Sequence, residues 1–119
     1  MALIVVADDE ILLTEMLTAV LEDAGYDVLA AAHGKEALEL VKQNNPQLLI
    51  TDFMMPVMTG LELAESLRQE TQFAELPILL VTGAQGAVAR RHPELFTQVL
   101  DKPYNVQRLL DIVGSILPI

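Results

Sequence analysis

Short apolar runs alternate along this chain with stretches whose apolar residues recur at helical spacing. That alternation confines the fold to parallel strands joined by helical crossovers, because strands pointing the same way need connections long enough to hold a helix. Leu3 to Ala7 is nearly continuous in apolar residues, the pattern of a central parallel strand buried on both faces. Val28 to Ala31, Leu48 to Thr51, Ile78 to Thr82 and Gln98 to Leu100 are the next strands, the last carrying the weakest signal. Leu13, Met16, Leu17, Val20, Leu21 and Ala24 form a helical stripe with Glu15, Glu22 and Asp23 opposite, and Gly25 ends it. Ala37, Leu38 and Val41 predict a second helix, stopped by Asn44, Asn45 and Pro46, and Leu61, Ala64 and Leu67 a third. The last helix carries Val106, Leu109, Leu110, Val113 and Leu117 behind an Asn105 cap. From Gly83 to Phe96, glycine and proline leave only Ala87 to Arg91 for a short fourth helix. The reading is one α/β domain over residues 1–119, a doubly wound parallel sheet of five strands with helices on both faces.

Composition narrows the function classes. An apolar fraction of 52% supports a core despite a net charge of −10, and 119 residues fit one domain. The absence of cysteine excludes disulfides, thiolate nucleophiles and cysteine-ligated metals. No secretory leader and no run of about 18 apolar residues is present, which predicts a soluble cytoplasmic protein with no membrane partner. The net negative charge repels phosphate backbones, and Arg90, Arg91 and His92 are the nearest thing to a basic patch, so no direct nucleic-acid binding is expected. Those three are read either as a solvated helix face or as a dock for an acidic partner.

In doubly wound sheets ligands bind at the carboxyl ends of the strands. Those ends carry Asp8 and Asp9, Asp52, Thr82 and Lys102. Crowded carboxylates repel unless a cation intervenes, and an all-oxygen donor set suits magnesium, which leaves one aspartate free as a nucleophile. A phosphoryl group entering such a site needs an ammonium and a hydroxyl to stabilise its charge, and Lys102 and Thr82 supply them. Alone, Asp8 and Asp9 also read as a helix cap, a role compatible with metal binding. His33 reads as a loop residue without a catalytic role.

The stretches IVVADDE, LLITDFMMPVMTG, PILLVTGA and DKPY stand in the order and spacing of a response-regulator receiver domain, which the chain resembles over nearly its whole length. The resemblance implies a flavodoxin-like strand order 2-1-3-4-5. It implies that Asp52 accepts a phosphoryl group, that Asp8 and Asp9 hold Mg2+ together with Asp52, Asp9 most directly, and that the backbone carbonyl of Met54 is a further ligand. Thr82 would bond a phosphoryl oxygen and move inward, Lys102 would pair with another, and Pro103 would follow a cis peptide bond. The implied donor is a histidine kinase, a phosphotransfer protein or a small phosphodonor, and the output is an unidentified protein partner. The molecule would be a regulatory phosphoacceptor rather than an enzyme, acting as a monomer or a phosphorylation-dependent dimer. Because Met1 lies just ahead of the first strand, a natural N-terminus is expected, whether the chain is a whole regulator or a receiver from a longer protein.

Two departures from the family pattern stand out. Val99 occupies the place of the usual aromatic switch three residues before the lysine, which predicts a remodelled surface around Gly83 to Phe96, ordered on phosphorylation. Met54 and Ala84, flanking the path of a hydrolytic water, cannot orient it, which predicts slow self-dephosphorylation. Three other functions fit the residues less well. A magnesium-dependent aspartyl phosphohydrolase would need an acid where Met54 stands, and a flavin carrier a phosphate-binding loop where Asp8, Asp9 and Glu10 stand. A phosphate-independent pseudo-receiver would not need the five-residue set.

Overall fold

The computed structural model describes residues 2–83 and 85–117. Five parallel strands, β1 (Leu3–Ala7), β2 (Asp27–Ala31), β3 (Leu48–Asp52), β4 (Ile78–Thr82) and β5 (Gln98–Asp101), form one sheet in the order β2-β1-β3-β4-β5. The helices are α1 (Ile11–Asp23), α2 (Gly34–Asn44), α3 (Gly60–Arg68), α4 (Gly86–Ala89) and α5 (Val106–Ile116), with a short 3-10 turn at Thr71–Phe73. Alternation along the central strands builds two cores. Ile4, Val6, Leu48, Ile50, Leu79 and Val81 meet α1 and α5 on one face, while Val5, Leu49, Ile78 and Leu80 meet α2, α3 and α4 on the other. The strand bounds match the sequence reading to within one residue, and the expected short fourth helix is a single turn.

Local chemistry fixes where each helix begins and ends. Gly25 takes φ 102, a conformation open to glycine, and the chain turns so that the Tyr26 N–H donates to the Leu21 carbonyl at 3.1 Å. His33 has a structural duty that the sequence reading did not assign: its Nδ1 accepts from the Glu36 N–H at 3.2 Å, while Glu36 Oε1 accepts from the Ala32 N–H. Thr59 and Glu62 form a reciprocal capping box on α3, and Asn105 caps α5 as expected. The stripe on α1 is narrower than its apolar residues suggested. Thr14, Leu17 and Leu21 are buried, but Met16 is 43% exposed because it lies about 100° around the axis from Leu17. Ala24 is also exposed, just past the helix end.

The connection after β3 is tightest where it returns to α3. The Gly60 N–H donates to the Phe53 carbonyl at 2.8 Å, and a Cβ added to Gly60 would collide with the backbone carbonyl of Asp52. No rotamer relieves a clash with backbone. Gly60→Ala is therefore expected to lose about 2–3 kcal/mol of stability in urea unfolding and to displace the end of β3.

Candidate functional site

The carboxyl ends of β1, β3, β4 and β5 meet at one edge of the sheet, and each delivers one polar side chain. Asp52 ends β3 and is 8% exposed. Its Oδ1 accepts from the Phe53 N–H at 2.7 Å, and its Oδ2 lies 3.3 Å from the Lys102 ammonium. Lys102 follows β5, held by a bond from its N–H to the Thr82 carbonyl at 2.8 Å, and the Lys102–Pro103 peptide is cis as the resemblance implied. The same ammonium lies 3.8 Å from Asp8 Oδ2 and 3.8 Å from Glu10 Oε1. One cation is thus shared by three carboxylates.

Those carboxylates are Asp8, Glu10 and Asp52, each with an oxygen within 4.8 Å of the others. This departs from the sequence reading, which paired Asp9 with Asp8 and omitted Glu10. Asp9 is exposed and stands outside the cluster. The reason is a turn after β1: the Asp8 N–H donates to the Ala31 carbonyl, and Asp8 Oδ1 accepts from the Glu10 N–H at 2.9 Å. That turn brings residue 10, one place later than expected, back over the site. Glu10 is also the N-terminal flank of α1 but gives it no side-chain cap, so the anticipated capping role of the acidic pair is not realised on the helix.

Electrostatics follow from this crowding. Burial pushes the Asp8 carboxyl above the usual aspartate range, with Asp52 and Glu10 adding to the rise; the Glu10 N–H and Lys102 act against it. For Lys102, burial opposes the charge, but attraction to Asp52, Asp8 and Glu10 outweighs it and raises the ammonium above the ordinary lysine value. Lys102 therefore stays charged at neutral pH. Thr82 is 1% exposed, and its hydroxyl has no hydrogen-bond partner among the described residues. A buried unpaired hydroxyl is costly, and at this edge of the sheet it can donate to a ligand oxygen.

The remaining candidates divide. Met54 sits two residues beyond Asp52 and is 57% exposed, and Ala84 lies outside the described residues. A cavity of about 20 Å3 beneath the site, lined by Asp8, Thr14, Asp52, Lys102 and Tyr104, is large enough for a water but not for a substrate. Chemistry at Asp52 must take place at the open mouth. The donors there are carboxylate oxygens without nitrogen or sulfur, a set that fits a hard divalent cation such as magnesium. Among the described residues no helix is long and apolar enough to cross a membrane.

Comparison with known proteins agrees with this geometry. The response regulator receiver domain family matches residues 4–114. The chemotaxis protein CheY1 of Helicobacter pylori is 33% identical over 118 residues, spanning 96% of this chain and 95% of that protein. A probable transcriptional regulator, ycf27 of Cyanophora paradoxa, is 36% identical over 117 residues, but the chain spans only 47% of its length. The chain thus covers about half of some curated relatives and nearly all of others. Among solved structures, the chemotaxis response regulator CheY4 of Vibrio cholerae superposes with a TM-score of 0.90 at 34% identity, covering 98% of this chain and 99% of that one. The strand order, the carboxylates at the strand ends and these matches agree: the chain belongs to the response regulator receiver domain family of two-component signalling.

Proposed function

We propose that Asp52 accepts a phosphoryl group from a histidine kinase or phosphotransfer protein, and that the domain works in the cytoplasm as a regulatory phosphoacceptor rather than a turnover enzyme. The observation that carries this reading is the setting of Asp52. It is a buried carboxylate with one oxygen tied to the Phe53 N–H and the other 3.3 Å from a charged lysine, next to a buried hydroxyl without a partner. In the transfer, an Asp52 carboxylate oxygen bonds to phosphorus as the donor's P–N bond breaks, and the departing imidazole keeps the electron pair and takes up a proton. Lys102 offsets charge on the phosphoryl oxygens, and the Thr82 hydroxyl donates to one of them. Asp8 and Asp52 would hold magnesium, with the Met54 carbonyl as a further oxygen donor, and the bound cation would supply additional positive charge for the transferring group. On the segments that follow β1 and β3, Ile11, Leu12, Met54 and Val57 are 67%, 81%, 57% and 75% exposed, apolar surface that supports a protein as the donor.

Three measurements test this reading. Intact mass after incubation with an acyl phosphate and magnesium should rise by one phosphoryl group; no gain is expected for Asp52→Asn or without magnesium. An equal gain in all three samples would sink the proposal.

The second concerns charge. A carboxyl whose folded pKa is raised binds its proton more tightly in the fold, so stability falls as pH climbs past the unfolded value of 3.8. Asp8→Asn is therefore expected to melt higher than the parent in metal-free buffer at neutral pH, the gap closing below the carboxylate range. Added magnesium should raise the parent's melting temperature more than the variant's.

The third concerns lifetime. Met54 has no group to orient a hydrolytic water, so the phosphorylated parent should decay slowly and Met54→Asn several-fold faster, as followed by loss of the added mass.

A further inference from the structure

Glu10 is the acidic group at the site with no structural task for its side chain. Its backbone is pinned: the N–H donates to Asp8 Oδ1 at 2.9 Å, and the carbonyl accepts from the Thr14 N–H at 3.0 Å and the Thr14 hydroxyl at 3.1 Å. The side chain caps no helix, is 61% exposed, and makes its one ion pair among the described residues with Lys102. The other two carboxylates on that ammonium belong to Asp8 and Asp52, whose side chains are 14% and 10% exposed and are fixed by backbone N–H donors. Of the three partners of Lys102, Glu10 alone is free to swing in and out.

We propose that Glu10 is a specificity-determining residue that holds back small, free, dianionic phosphodonors while leaving transfer from a docked protein little affected; the proposal rests on the reading of Asp52 as phosphoacceptor. A phosphoryl group reaching Asp52 must bring its oxygens to the Lys102 ammonium, where Glu10 already competes from the solvent side. Approach therefore meets a negative charge already at the ammonium and must displace it. A small dianion has only the few contacts of the site to offset that repulsion. A phosphorylated histidine on a protein surface draws on contacts made away from the site, so the same repulsion is a smaller part of its binding. Because Glu10 is exposed, the repulsion acts through water and is screened by salt.

The test compares two donors of different charge on Glu10→Gln, the parent and a control. The control, Glu22→Gln, removes the same charge from an exposed position at the far end of α1. All are run at saturating magnesium, with saturation checked for each variant by calorimetry. Acetyl phosphate is a dianion near neutral pH and phosphoramidate largely a monoanion. Glu10→Gln is expected to gain phosphate on Asp52 about threefold to tenfold faster than the parent with acetyl phosphate. With phosphoramidate the gain should be about half as large on a logarithmic scale, and both gains should shrink as salt is raised from about 0.05 to 0.5 M. Glu22→Gln should behave as the parent. An equal change with both donors, no change, or a change indifferent to salt would overturn the role of Glu10 while leaving Asp52 as acceptor. A parent that takes phosphate from neither donor would overturn both.

Discussion

The ion pair between Lys102 and Asp52 holds the site together. Asp52 terminates a strand whose five residues are all buried, so its carboxylate leaves water as a direct consequence of how the sheet packs. An unpaired charge at that depth is costly, and removing one partner of such a pair leaves the other stranded. Lys102 relieves the cost from the adjacent edge of the sheet, and because it can approach only a few oxygens closely, Asp8 and Glu10 share what remains of its charge at 3.8 Å. Three negative groups against one positive group leave a residual charge that the protein does not neutralise. That deficit adds to the rise that burial imposes on the Asp8 carboxyl and accounts for the fit of the site to a divalent cation.

Backbone geometry around the acceptor is as constrained as its charge. The Asp52 carbonyl accepts from the Thr51 hydroxyl at 2.9 Å and is crowded by the Gly60 backbone, so the residue is gripped from both sides of its peptide. Four residues later the chain turns sharply: the Met58 N–H reaches the Pro56 carbonyl at 2.7 Å around Val57, whose φ of 71 is unfavourable for a β-branched side chain. Val57 is also 75% exposed, so packing does not repay the conformation locally. The strain is carried by the loop that returns the chain to Gly60, and through Gly60 it is tied to the placement of Asp52.

The sheet was legible in the sequence because its central strands are buried on both faces and so read as unbroken apolar runs. Edge strands gave weaker signals: Asp27 and Ala30 of β2 and Asp101 of β5 face solvent, and nothing selects for apolar residues there. Asp8, Asp52, Thr82 and Lys102 were legible for a related reason, since each is the polar residue at or just past the end of a strand. The choice between Asp9 and Glu10 was not. Adjacent acids are equivalent in a sequence, and which one faces the site depends on the turn that Asp8 makes with the Glu10 N–H, a three-dimensional fact with no periodicity behind it. The cap bond of His33, a loop residue as read, and the exposure of Met16 escaped the sequence for the same kind of reason: one is defined by a single hydrogen bond and the other by the orientation of a helix against the sheet.

The surface beside Lys102 carries one of this chain's departures from the family pattern. Val99 stands where the resemblance implies an aromatic, and Arg90 reaches across from the end of α4, donating to Asp101 at 3.2 and 2.8 Å and to the Val99 carbonyl at 3.4 Å. Gly86 makes room for this clamp, because a Cβ there would strike the Asp101 carboxylate. The helix so held is a single turn, too short to be stable by itself, and the ion pair is about half exposed, so it contributes little by its own strength. Asp101 is the neighbour of Lys102 in the chain and the register partner of Thr82 across the sheet. The weakly held turn is therefore one residue removed from both Thr82 and Lys102, and a shift of either reaches α4 through the β4–β5 pairing and the Arg90 clamp on Asp101, without an aromatic side chain to relay it.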